Sequence, residues 1–182
     1  MTFSDLLSSV VEWVKDLSPV RVVHSWEQGA LIRAGDVRDG PLTSKNGLRG
    51  TGIHLCVPLL DDISIADASE EVIETTLQTC TTADGGTVSL QFVVRYRIVN
   101  LPLMLKTVYE VAGTVANMIE GAAGEITCGM ETEEARTDLA QTVCSEVEGA
   151  LQIRGIQLEE ISLRTFVECR AYRLLTEGAL GI

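Results

Sequence analysis

The chain has 182 residues, an apolar fraction of 46% and a charged fraction of 22%. That is the composition of one globular domain, or one domain with an attached element, and not of a disordered or fibrous chain. Its 14 basic against 26 acidic residues give a formal charge of −12, so nucleic-acid phosphates repel it, and no nucleic-acid partner is expected.

The first element is predicted over residues 3–17. Phe3, Leu6, Leu7, Val10, Val11, Val14 and Leu17 recur at three- and four-residue steps, the period of one helical face. Asp5, Ser8, Ser9, Glu12, Lys15 and Asp16 fall mainly on the other side, with Trp13 at the margin. Pro19 stops the helix, because it has no amide donor and disfavours helical geometry before it. Such a helix can pack on its own domain, on another subunit or in a lipid interface. Its terminal position and Trp13 favour lipid; its acidic polar face gives anionic lipids nothing to attract.

Strands are predicted next, from Val20 to Trp26 and from Gly29 to Arg33, followed by a Gly- and Ser-rich loop from Asp39 to Gly52. Ile53 to Leu60, Ile63 to Ala66 and Val72 to Thr82 are further strand candidates. Ala83-Asp84-Gly85-Gly86 is a hairpin turn, since Asp and Gly accept positive φ. Val88, Leu90, Phe92, Val94, Tyr96 and Ile98 then alternate with Ser89, Gln91, Val93, Arg95 and Arg97, a strand with one buried face.

Two helices follow. Val108, Val111, Ala112, Val115, Ile119 and Ala122 share a face in a helix read from about Leu103 to Glu125. The second starts at Thr132 as N-cap, carries Glu133 and Glu134 in its first turn, and lines its inner face with Ala135, Leu139, Val143, Val147 and Leu151. Gly155 terminates it. Ile156 to Phe166 is a strand whose phase switches at Glu159-Glu160, which suggests a bulge or a bend between two pairings. A helical tail is predicted over 168–182. Segregated strands and helices make the expected fold α+β, a twisted, mainly antiparallel sheet packed with helices.

Several of these segments together resemble a known family. Arg21-Val22-Val23 with Glu27-Gln28-Gly29-Ala30-Leu31-Ile32-Arg33 is similar to an opening "E-x-G-V-V-L/I" strand. Gly50 to Pro58 (GTGIHLCVP) resembles "GPGLHFxxP", Thr81-Thr82-Ala83-Asp84-Gly85 resembles "TxDG", Val94 to Ile98 resembles "V-x-Y-R-I", and Gly155-Ile156 with Leu158 resembles "GI-x-V". In this order they resemble the stomatin–prohibitin–flotillin (SPFH, or band 7) domain from about residue 20 to 166, including its short bacterial and phage-encoded members. Two departures stand out: the long loop Asp36 to Arg49, and the lack of an extended coiled coil in the residues after Phe166.

The resemblance implies three parts: a leading amphipathic helix (1–18), an SPFH-like domain (19–167) and a short tail (168–182). It implies a non-catalytic scaffold that forms homo-oligomeric rings or cages on a membrane. Such a scaffold organises membrane or restrains membrane proteins such as AAA proteases. The implied place is peripheral, on the cytoplasmic face of a bacterial or phage-infected host membrane. Contact with lipid or a neighbouring subunit is assigned to Phe3, Leu6, Leu7, Val10, Val11, Trp13, Val14 and Leu17. The alternative is a soluble shell subunit, as in the vault shoulder (a likeness of fold alone), with the helix buried between subunits.

No secretory leader is visible, and no run approaches the ~18 apolar residues that span a bilayer. Cys56, Cys80, Cys128, Cys144 and Cys169 are widely spaced and read as buried or half-buried thiols of a reducing compartment, not as a zinc set. His24 and His54 both fall in predicted strands, as surface or satisfied core residues. Asp61-Asp62 reads as a solvated turn, and Gly85-Gly86 precedes a strand, not the helix N-terminus a phosphate cradle needs. Gly121 to Gly124 (GAAG) reads first as a helix break and second as a close-approach surface. No catalytic residue, cofactor or metal site is therefore expected.

Overall fold

The computed structural model describes residues 20–37, 48, 49, 51–57 and 60–169. The helix expected over 3–17, most of the loop after Val37, and the tail from 170 onward lie outside the described residues.

Two antiparallel sheets, a two-stranded ribbon and three helices make up the described fold. The ribbon pairs β1 (Val20–Val23) with β5 (Gly52–Leu55). In the first sheet β2 (Glu27–Arg33) is central. β6 (Asp61–Asp67) runs along its whole length, so β3 (Asp36–Val37) and β4 (Leu48–Arg49) share its other edge. In the second sheet β9 (Thr87–Ile98) is central, with β10 (Ile156–Cys169) on one edge and β7 (Glu71–Glu74) and β8 (Gln78–Thr81) sharing the other.

The strict alternation of β9 is realised side chain by side chain: Val88, Leu90, Phe92, Val94, Tyr96 and Ile98 are all buried. The segment read as one strand from Val72 to Thr82 is two. Between β7 and β8 the buried Thr75 turns its hydroxyl to the ladder, and Phe92 N donates to Thr75 Oγ1 at 2.9 Å. A side chain thus takes the place of a backbone acceptor, and the strand restarts after it. The β8–β9 turn forms as expected, with Gly85 at φ +80°.

The helix read from Leu103 to Glu125 is also two. Helix α1 (Leu101–Thr107) is capped by Asn100, whose side chain accepts from Leu103 N at 3.2 Å. It ends because Val108 adopts an extended conformation that buries its side chain. Glu110 then accepts from Gly113 N and starts α2 (Val111–Gly129). Val108 therefore joins the core from a connection, not from the helical face assigned to it. Helix α2 runs unbroken through Gly121 to Gly124, so the GAAG stretch is no break.

Helix α3 (Thr132–Gln152) buries Ala135, Leu139, Val143, Val147 and Leu151, as its period requires. Its N-cap is Glu131, which makes no side-chain capping bond; Thr132 is the first helical residue and turns its hydroxyl elsewhere. Gly155, at φ +80°, closes the exit, and its carbonyl accepts from both Val99 N and Asn100 N at 3.0 Å. The bulge expected at Glu159-Glu160 is present, and a second register shift lies between Leu163 and Thr165. Strand β10 continues through Glu168 and Cys169, so the tail expected to be helical from 168 begins as strand.

The main core fills the space between the inner face of the β9 sheet and the three helices. Each large side chain fully buried there contributes about 1.5–3 kcal/mol. Alternate residues of β2 serve different cores. Ala30 belongs to the main one, while Leu31 belongs to a small one with Val23, Cys56 and Ile63. Strand β2 is thus the shared wall between the helical half and the ribbon.

Candidate contact surface

The residues assigned to membrane or subunit contact (Phe3, Leu6, Leu7, Val10, Val11, Trp13, Val14 and Leu17) all lie outside the described residues. What the structure places is the surface at which that segment joins the domain.

Strand β1 begins at Val20, two residues beyond Ser18. In the ribbon Val20 lies opposite Leu55 and Val22 opposite Ile53. Directly paired residues share a face, and successive residues alternate between faces. Val23 points inward and is 1% exposed, so Val22 and Val20 point outward. The outward set is apolar throughout: Val20 is 39% exposed, Val22 47%, Ile53 73% and Leu55 70%. Val57 continues the phase of β5 and is exposed as well. Lone exposed aliphatics are ordinary; four in two facing pairs form a patch.

The ribbon is held in place from beneath. Asp61, at the start of β6, accepts Arg33 Nε at 2.6 Å and Arg33 Nη2 at 2.8 Å. The same carboxylate accepts Val57 N at 3.1 Å, tying down the strand end beyond Leu55. Its side chain is 3% exposed. Asp61 is therefore a buried, charge-paired clamp and not the solvated turn residue expected. The fork of the Arg33 guanidinium suits a carboxylate, and the Asp61 hydrogen bond and charge raise the Arg33 pKa further.

The other sites weighed in the sequence resolve as structure. His24 is in the β1–β2 turn, not in a strand, and stacks on Trp26 with ring centroids 4.8 Å apart. His54 is in β5, opposite Arg21. Asp84 binds across the fold: Thr132 Oγ1 donates to it at 2.9 Å and Thr82 Oγ1 at 2.5 Å. Those bonds hold the Asp84 carboxyl below its ordinary range and fasten the β8–β9 turn to the start of α3. Among the described residues no group of His, Cys, Asp and Glu could hold a metal ion. Of the thiols, Cys56 is buried, Cys80 and Cys144 are half-buried, and Cys128 and Cys169 are exposed. Burial raises the pKa of Cys80 and of Cys144.

The outer face of the β9 sheet is charged and internally paired. Arg97 Nε lies 2.8 Å from Glu159, Arg95 Nη2 3.4 Å from Glu160, and Arg164 pairs with Glu74. That face is built for water. The ribbon face has no such lining.

An α+β domain of two antiparallel sheets, with α2 and α3 on the β9 sheet and α1 against β2 and β3 of the other, defines the class. The pattern of the SPFH domain / Band 7 family matches residues 21–173, and the chain belongs to that family. It is also similar to an uncharacterized protein of Archaeoglobus fulgidus, 23% identical over 155 residues. That match takes in 81% of this chain and 59% of the relative's length. Family membership supports a scaffold-like role in general. No described helix is long and apolar enough to cross a membrane.

Proposed function

We propose that this chain is a non-catalytic scaffold that self-assembles into homo-oligomers on a membrane surface, with residues 3–17 as its lipid-contact element. The observation that carries this reading is the helical apolar period of that segment (Phe3, Leu6, Leu7, Val10, Val14, Leu17) joined by Ser18-Pro19 to a Band 7 domain. An amphipathic helix beside a folded domain is a device for lying on a membrane, not crossing it. On this reading the assembled domains organise nearby lipid and membrane proteins, membrane proteases among them.

A second reading keeps a specific observation in its favour. The charged residues on the polar side of the segment are mostly acidic (Asp5, Glu12 and Asp16 against Lys15), so apolar burial alone would hold it to lipid. A neighbouring subunit in a soluble shell could bury the same face.

Liposome flotation of the full chain beside the Leu7→Glu/Val14→Glu double variant tests the proposal. The full chain should float and the variant should remain in the dense fraction. Equal flotation of both would remove the segment as anchor. Closed particles formed in buffer without lipid, and no flotation, would hand the function to the shell reading.

A further inference from the structure

We infer that, in the absence of lipid, residues 3–17 fold back over the outer face of the β1–β5 ribbon, so that the apolar face of the segment and that of the ribbon cover each other. The inference rests on the membrane reading only in its last step, where lipid competes for the segment.

Three observations carry it. The first is the patch itself: Val20 against Leu55 and Val22 against Ile53 point away from the small core, and all four remain exposed, Ile53 and Leu55 most of all. The second is where the chain leads. The patch begins at Val20, and only Ser18 and Pro19 separate it from Leu17, the last residue of the segment's apolar face. A two-residue link is a common length between a helix and a strand, and it keeps the segment at an effective concentration on the order of millimolar. A second copy would have to compete with that. The third is size. Fifteen helical residues span ~22 Å, and four strand residues span ~13 Å, so a helix laid back along β1 covers the ribbon from end to end.

The contact has a consequence for lipid binding. A segment that is covered is not available to lipid, so apparent affinity falls by the fraction that is covered. Vesicles would draw the segment off the ribbon, and the ribbon face would be uncovered only in the membrane-bound form.

The test uses the full chain and an Ile53→Asp/Leu55→Asp variant, with Val72→Asp as an exposed apolar control on the other sheet. A thermal melt by circular dichroism first checks folding; if the double variant melts early, Leu55→Ser replaces it. Amide exchange of residues 3–17 is read by mass spectrometry without lipid. The wild type and the Val72→Asp control should exchange slowly there, and the ribbon variant faster by on the order of tenfold. Flotation on phosphatidylcholine vesicles should then show the ribbon variant binding at lower lipid concentration, by the same factor as the loss of protection.

Equal exchange in the wild type and the ribbon variant overturns the inference. Protection that grows with protein concentration overturns it in favour of a second copy. Weaker flotation of the ribbon variant overturns it in favour of the ribbon itself resting on lipid. The exchange readout contains no lipid, so it decides the cover even where the chain fails to float and the membrane reading falls.

Discussion

The two halves of the domain solve the same problem with different means. From β7 to β10 a long central strand turns every second side chain toward the core beneath helices α2 and α3, and the opposite face is laced with ion pairs. From β1 to β6 the strands are mostly short, and among the described residues the small core holds Val23, Leu31, Cys56 and Ile63. The first half is finished: its apolar face is buried and its other face is polar. The second half leaves an apolar face outward, on the ribbon. Exposed aliphatics occur in both halves, Val72, Leu77 and Val167 among them, but among the described strands it is on the ribbon that they form two facing pairs, and that side is arranged to be completed.

The comparison is broken most forcefully where the two faces of the main core meet. Phe92→Ala empties a buried site between sheet and helices and should cost ~3–5 kcal/mol. Leu31→Ala, in the small core, should cost nearer ~2–3 kcal/mol, because a four-residue cluster under a short ribbon collapses more readily. Urea unfolding should rank them in that order. Exchange should also separate them: Leu31→Ala should loosen β1, β5 and β6 and leave α3 protected. If Leu31→Ala loosened α3 equally, the two cores would be one cooperative unit and the contrast would fail.

A comparable effect is expected at the hinge between helix and strand in the finished half. A Cβ on Gly155 would lie 2.5 Å from the backbone oxygen of Asn100, and φ there is +80°. Backbone cannot yield as a flexible side chain does. Gly155→Ala should therefore lower the melting temperature sharply and weaken the bonds from Val99 N and Asn100 N to the Gly155 carbonyl. A variant that melts with the wild type would show that this junction can shift at no cost.

Much of this half was legible in the sequence. The alternation of Val88 to Ile98 and the spacing of Ala135 to Leu151 each admit one buried face, and of the bulge or bend that the phase change at Glu159-Glu160 suggests, the structure has the bulge. What was not legible depends on distant partners. Val108 fits the helical period, yet it is extended, because Glu110 caps a new helix. Thr132 looks like a cap, yet its hydroxyl is drawn to Asp84, 48 residues away. Asp61 looks like a turn residue until Arg33 is seen beside it. The ribbon face was hidden for another reason. Val20-Arg21-Val22-Val23 shows that two faces exist, but not which of them the rest of the chain covers. The alternation Ile53-His54-Leu55 opposite it was the available signal.

A smaller effect should separate the halves by pH. Tyr96 is buried in the finished half, and its hydroxyl donates to Glu71 Oε2 at 2.6 Å. Burial, then the Glu71 hydrogen bond and charge, push its pKa above the ordinary tyrosine range. The unfolded chain ionises near pH ~10. The contribution of Tyr96 is thus fully present below that pH and is lost as pH rises through it toward the folded value. Tyr96→Phe should cost ~0.5–1.5 kcal/mol at neutral pH and flatten the alkaline fall in melting temperature. Asp84 works at the other limit: its lowered pKa gives stability that is present above the ordinary carboxylate range and lost as acid protonates it in the fold. Asp84→Asn should flatten the acid limb and leave the alkaline one unchanged.

The smallest effect carries the opposite sign. Helix α2 is the least charged surface of the finished half, and Gly121 and Gly124 lie on it with nothing within 4 Å of where a Cβ would stand. In a lone chain that is wasted helical propensity, and Gly121→Ala should raise stability by ~0.5–1 kcal/mol. In an assembly that brings another helix against this stripe, the same methyl would hold the two backbones apart. The variant should therefore be followed by melting temperature and by sedimentation at the same concentrations. A higher melting temperature with unchanged mass leaves α2 facing water, and the ribbon as the side that assembly or lipid completes. A lower mass with an intact fold would show that the finished half also has an unfinished face, and that the subunit contact lies on α2.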